Sequence, residues 1–234
     1  MRSPTRRLTP AAIAVRLAQE FSRHLGVGRH TASSLVRSAR MQDKAYELSA
    51  MLSLIGSIKH VQPRLVFRLN GGTNIAFKTG GGPIVRGATS HIEIFDGALI
   101  VGEIWTDVEC LAISAGPGAK SLRGNLYGKC HELDVVVVRP GTRDRPLPKE
   151  ILIGAEAKNR PFNKQLLKQL LGVRREMMMR APRGTRCSPW FVWWDRMLPA
   201  NPASGLVAYC SSPLIDRYKD PADYWGIRME HVPF

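Results

Sequence analysis

Two neighbouring segments, His131-Glu132-Leu133-Asp134-Val135-Val136-Val137-Val138 and Ile151-Leu152-Ile153-Gly154-Ala155-Glu156-Ala157-Lys158, set charged side chains in apolar, β-branched surroundings. Runs of this length and composition predict buried strands. A buried strand does not carry a carboxylate or an ammonium without a partner or a task. Side chains alternate along a strand, so Glu156 and Lys158 share one face while Ala157 takes the other. If the two strands pair, Asp134 joins them. Two carboxylates and an amine converging in this way would form a divalent-metal site with a lysine beside it, which is equipment for hydrolysing a phosphodiester. Glu132, two residues from Asp134 and on its face, is the rival ligand. His131 abuts the same strand, as a base or as a satisfied structural histidine.

The elements that must position these groups can be read on either side. Residues 42 to 59 predict a helix with Leu48, Met51, Leu52, Ile55 and Ile58 on one arc and Tyr46, Ser49, Ser53 and Ser57 opposite. Glu47 lies in register with Leu54 and Ile58, at the edge of the apolar arc. Segments around Leu65–Leu69, Asn74–Lys78, His91–Phe95 and Ala98–Ile113 predict strands, separated by glycine-rich turns, in an antiparallel sheet. A helix from about Phe162 to Met179 follows Lys158, apolar at Leu166, Leu167, Leu170, Leu171 and Val173. Its other side carries Lys164, Lys168 and Arg175, flanked by Gln165 and Gln169. Such a stripe is either a solvated face or a phosphate-binding one. Trp190-Phe191-Val192-Trp193-Trp194 and Gly205–Cys210 predict further strands, and the tail with Tyr218, Tyr224, Trp225 and Phe234 is expected to pack back onto the sheet.

Asp134, an intervening turn and Glu156-Ala157-Lys158 followed by a helix resemble the PD-(D/E)xK nucleases, which include restriction endonucleases, resolvases and phage-defence nucleases. The resemblance covers about residues 44 to 212 in element order. It departs at Leu133, where the family name expects a proline that supplies no ligand. The resemblance implies a mixed α/β fold, an α+β mixed sheet with a restriction-endonuclease-like core and flanking helices, over residues 43–234. It further implies Mg²⁺-dependent endonucleolytic cleavage of DNA, with Mn²⁺ as a substitute ion, in phage defence, restriction or transposition. Asp134 and Glu156 would hold the metal and Lys158 would orient or deprotonate the water. Glu47 from the first core helix would complete the site, although a rim glutamate in a surface ion pair is the other reading. The helix after Lys158 would line the nucleic-acid cleft.

The chain's 234 residues suit one good core with an appendage. Lys and Arg number 34 against 19 Asp and Glu, a net charge of +15, which favours a polyanion and above all nucleic acid as partner. No stretch reaches the ~20 apolar residues of a membrane span, so a soluble, cytoplasmic protein without membrane contact is expected. Cys110, Cys130, Cys187 and Cys210 form no CxxC, and the histidines no HxH or HExxH, which argues against a zinc centre. Gly116-Pro117-Gly118-Ala119-Lys120-Ser121 lacks the glycine spacing of a Walker A loop. With Lys120, Arg123 and Lys129, residues 114 to 130 predict instead a basic loop able to contact phosphates. Residues 1–42 form a basic helical segment. There Phe21–Leu35, turning at Gly26, fits either a helix-turn-helix core or two helices joined by a loop. Its apolar Ile13, Val15, Leu17 and Phe21 make it the candidate interface of a homodimer, the alternative being one subunit of a larger defence or transposition complex. A DNA-binding module without catalysis is the remaining reading.

Overall fold

The computed structural model describes residues 9–37, 42–71, 75–115, 128–180 and 200–234. Three helices precede the first strand: α1 (Pro10–Leu25), α2 (Arg29–Arg37) and α3 (Gln42–Val61). Thr9 caps α1 by accepting the Ala12 amide, Pro10 starts its first turn, and Gly26 ends it at φ 66°, a left-handed conformation that glycine adopts without strain. The helix buries Ile13, Leu17, Phe21 and Leu25, one per turn. Phe21–Leu35 spans the end of α1, the short connection at Gly26 and the start of α2.

The main sheet has seven strands among the described residues. These are β1 (Leu65–Asn70), β2 (His91–Asp96), β3 (Leu99–Leu111), β4 (Cys130–Val138), β5 (Ile151–Lys158), β8 (Gly205–Cys210) and β9 (Ile227–His231). Strands β1 to β5 pair antiparallel in sequence order, then β8 and β9 add on in parallel. The crossover from β5 to β8 runs through α4 (Lys164–Met177) and a short second sheet of β6 (Met179–Arg180) and β7 (Ala200–Asn201). The short helix α5 (Lys219–Tyr224) leads into β9. The fold is thus α/β with a mixed sheet, as expected from the sequence.

Each face of the sheet has its own core. On one, α1 to α3 meet Ile94, Ile104, Val135, Val137, Ile153 and Ala155. On the other, α4 and the chain around Ile215 and Ala222 meet Trp105, Val136, Val138, Ile151 and Leu206. Helix α3 lies between α1 and the sheet and is apolar on two sides, so Tyr46, read from the sequence as lying on the polar arc, is fully buried, with its hydroxyl donating to the Val232 carbonyl. The Lys59 ammonium ties α3 to the end of α1 at the His24 carbonyl, 2.7 Å away.

Three further expectations need correction. Residues 75–78 are not a strand: the Ala76 carbonyl accepts the Ser90 amide, the Lys78 carbonyl accepts the Thr106 hydroxyl, and Phe77 packs on Phe21. In the tail, Phe234 packs edge-on against Tyr46 and β9 extends the sheet, but Tyr224 and Trp225 are exposed. Of the apolar residues assigned to a dimer interface, Ile13, Leu17 and Phe21 are buried within the chain and only Val15 faces outward. The run Trp190–Trp194 and Cys187 lie outside the described residues.

Candidate metal centre

The β4–β5 ladder runs from Val138↔Ile151 to Val135↔Ala155. Past that pair the carboxylate of Asp134 takes over the role of a ladder partner, accepting the Ala157 amide at 2.7 Å on Oδ2. The same oxygen lies 3.1 Å from Lys158 Nζ, and Lys158 Nζ lies 2.6 Å from Glu156 Oε2. The alternation read from the sequence accounts for this arrangement. Ala155 and Ala157 enter the core under α3, while Glu156 and Lys158 leave together on the opposite face and share one ammonium between two carboxylates.

A second group of side chains approaches Asp134 from α3 and β3. Glu47, Asp107 and Asp134 each present an oxygen within 4.8 Å of the others. Lys44, one turn before Glu47, pairs with Glu47 Oε2 at 2.7 Å and with Asp107 Oδ1. Asp107 was not anticipated. The register that joins Thr106 to Val135 and Val108 to Leu133 sets it across from Asp134, and its φ of 52° departs from extended backbone within the strand. Aspartate tolerates this left-handed region better than most residues, though at some cost, and such residues gather at functional sites. Asp107 is buried, and its Oδ2 has no hydrogen-bond partner among the described residues. Lys78 supports it from behind, donating to the Asp107 and Gly82 carbonyls at 2.6 and 2.7 Å.

These groups are less than fully neutralised. Burial, with Asp107 and Asp134 adding like charge, pushes the Glu47 carboxyl up to about 7 despite Lys44 beside it. Burial likewise raises Asp107, and burial together with Asp134 raises Glu156. Burial works against the Lys158 ammonium, but Glu156 and Asp134 outweigh it and hold its pKa above that of an ordinary lysine. Within this pair, Glu156 and Asp134 favour the charged form of Lys158, while burial and Asp134 disfavour the charged form of Glu156.

Glu156 and Lys158 line a pocket of about 280 Å³ together with His131, Glu132, Arg160, Gln169 and the apolar side of α4. Asn163 caps α4 at the Leu166 amide, which aims the helix across the pocket directly after β5. Lys164, Gln165, Lys168, Gln169 and Arg175 are all exposed along it, and Gln169 lines the pocket together with Glu156 and Lys158. Arg174 turns inward instead, donating to the Ser204 and Trp225 carbonyls. Glu132 is exposed with its carboxylate against Gly81, and is not one of the three converging acids. The His131 ring nitrogens are buried without hydrogen-bond partners among the described residues, and burial lowers its pKa to about 4, which favours the neutral ring. Lys120 and Arg123 lie outside the described residues.

The donor set suits a hard divalent cation. Oxygen ligands from three carboxylates converge, one buried oxygen lacks a partner among the described residues, and the lysines paired with these acids, Lys44 and Lys158, do not satisfy that oxygen. Compared with protein-family models, with curated proteins and with solved structures, the chain matches none.

Proposed function

We propose that the chain is a metal-dependent nuclease that hydrolyses phosphodiester bonds of DNA. The observation that carries this reading is the convergence of Glu47, Asp107 and Asp134 where β4 and β5 part, with Lys44 on Glu47 and Asp107 and with Lys158 joining Asp134 to Glu156, which is not one of the three converging acids. Glu47, Asp107 and Asp134 would hold Mg²⁺ or Mn²⁺, with Glu156 adjoining. A bound divalent ion supplies Lewis acidity toward a phosphate oxygen and acidifies water at neutral pH.

The chain's own residues perform the remaining tasks. Lys158, held protonated by two carboxylates, places a positive charge where charge grows on the phosphate, and its supports on β4 and β5 keep it there without reorganisation. Of the two roles open to Lys158, orienting water or deprotonating it, its raised pKa favours the first. Glu156, with its pKa raised, is the better proton acceptor. Lys164, Lys168 and Arg175 with the net charge of +15 supply phosphate contacts along α4. Cutting both strands at a fixed place would call for a second centre, from another copy of the chain or from a larger defence or transposition assembly.

The test is nicking of supercoiled plasmid in Mg²⁺, Mn²⁺ or EDTA by the full chain and by Asp134→Ala. Nicking that needs the ion and disappears in Asp134→Ala is expected. Nicking that persists in EDTA, or in Asp134→Ala, would overturn the assignment.

A further inference from the structure

Resting on the metal-centre reading, we propose that Lys44 is a displaceable counter-ion: its ammonium fills the metal-free centre and leaves when a divalent ion enters. Lys44 Nζ contacts two of the three converging carboxylates, Glu47 at 2.7 Å and Asp107. A cation drawn to Glu47, Asp107 and Asp134 must compete for the same oxygens. The three lysines at the centre are held differently. Lys78 donates to backbone carbonyls of Gly82 and Asp107, which no ion would take from it. Lys158 rests between Asp134 and Glu156, outside the group of three. Lys44 alone among them depends on Glu47 and Asp107 for its partners.

Its position also lets it leave. Lys44 stands in the first turn of α3, its side chain is about one quarter exposed (23%), and a lysine stem has four rotatable carbons. Once displaced, the ammonium stays within a side-chain length of the centre, where an anionic phosphate is a suitable partner. Loading of the ion and seating of the substrate backbone are then favoured by the same movement.

The experiment is equilibrium binding of Mn²⁺ to the full chain, to Lys44→Met and to Lys44→Gln, by titration calorimetry or by the electron paramagnetic resonance signal of free Mn²⁺. The melting temperature of each metal-free chain is measured alongside. Removing a positive charge a few ångströms from the ion should tighten Mn²⁺ binding about ten-fold in both variants, while the metal-free melting temperature falls because the carboxylates lose their counter-charge. A lysine with only a structural role would lower the melting temperature without tightening binding. Mn²⁺ binding that is unchanged or weaker in a folded variant overturns the proposal and leaves the metal centre standing. No Mn²⁺ binding by any of the three chains removes the metal centre, and the role of Lys44 with it.

Discussion

Glu103 and Asp107 lie four residues apart in the same strand and are almost equally buried, at 2% and 1% exposed, yet they are treated in opposite ways. Glu103 is fully satisfied. Arg86 donates to its Oε2 at 2.5 Å, Trp105 Nε1 to the same oxygen at 3.2 Å, and the Gly141 amide to its Oε1 at 3.0 Å. Asp107 receives one lysine, keeps one oxygen without a partner among the described residues, and faces two further carboxylates. A buried carboxylate costs free energy unless it is paired and hydrogen-bonded. At Glu103 that cost is met within the protein, and the residue joins β3 to the turn at Gly141. At Asp107 it is left partly unmet, as expected of a group whose proper partner arrives from outside. Burial of an acid is thus uninformative by itself; the degree of its internal compensation separates structure from site.

The largest effect that sharpens this contrast is expected at Lys158. Lys158→Ala should lower the nicking rate by about 10³-fold while leaving affinity for DNA nearly unchanged, because one lysine among many phosphate contacts contributes little to binding. Parallel nicking and gel-shift assays check this, and a variant that loses binding as severely as turnover would place Lys158 in DNA docking instead. Next is Glu103→Ala, expected to destabilise the fold by about 3 kcal/mol because it removes the acceptor of the buried Trp105 indole N–H and the counter-charge of the part-buried Arg86. Urea unfolding reads this directly. An undiminished midpoint would break the comparison from the structural side.

A smaller effect concerns pH. The folded, metal-free chain holds the Glu47 proton up to about 7, whereas the unfolded chain releases it in the ordinary carboxylate range. Stability from this group is therefore full at acid pH, declines as pH rises from that range to about 7, and then levels off. Mn²⁺ affinity should run the other way and rise through the same interval, since ligands must shed their protons to bind. Thermal melts with and without Mn²⁺ from pH 5 to 8 would show both slopes, and Glu47→Gln should flatten them. The smallest effects are expected on α4. Lys164→Ala, Lys168→Ala and Arg175→Ala should each reduce the salt dependence of DNA binding by about one unit of slope. Unchanged slopes would mark that face as solvated and nothing more.

Much of this was legible in the sequence because the relevant patterns are local. The β-branched runs around Asp134 and Glu156 specify paired strands, alternation specifies that Glu156 and Lys158 share a face, and the periodicity of residues 42 to 59 carries Glu47 on a helix. Asp107 was not legible. Leu99–Leu111 holds three acids, Glu103, Asp107 and Glu109, and spacing does not tell them apart. What does is partnership with distant residues: Arg86 for Glu103, Arg145 for Glu109, and a deficit for Asp107. The left-handed backbone at Asp107 leaves no mark in the pattern either. Tyr46 was misplaced for a related reason, since a helix covered on two sides has no single apolar arc. Residues 75–78 look like a strand by composition, but tertiary partners take up their backbone groups one at a time.

The contrast between the two acids of β3 is tested most directly by Mn²⁺ binding to three chains, the wild type, Asp107→Asn and Glu103→Gln, at one pH near 7.5. The wild type should bind, Glu103→Gln should bind as the wild type does once its lower stability is allowed for, and Asp107→Asn should bind at least about ten-fold more weakly through loss of a charged oxygen ligand. Equal binding by the wild type and Asp107→Asn, or equal losses at Asp107 and Glu103, would contradict the assignment of Asp107 to a metal centre.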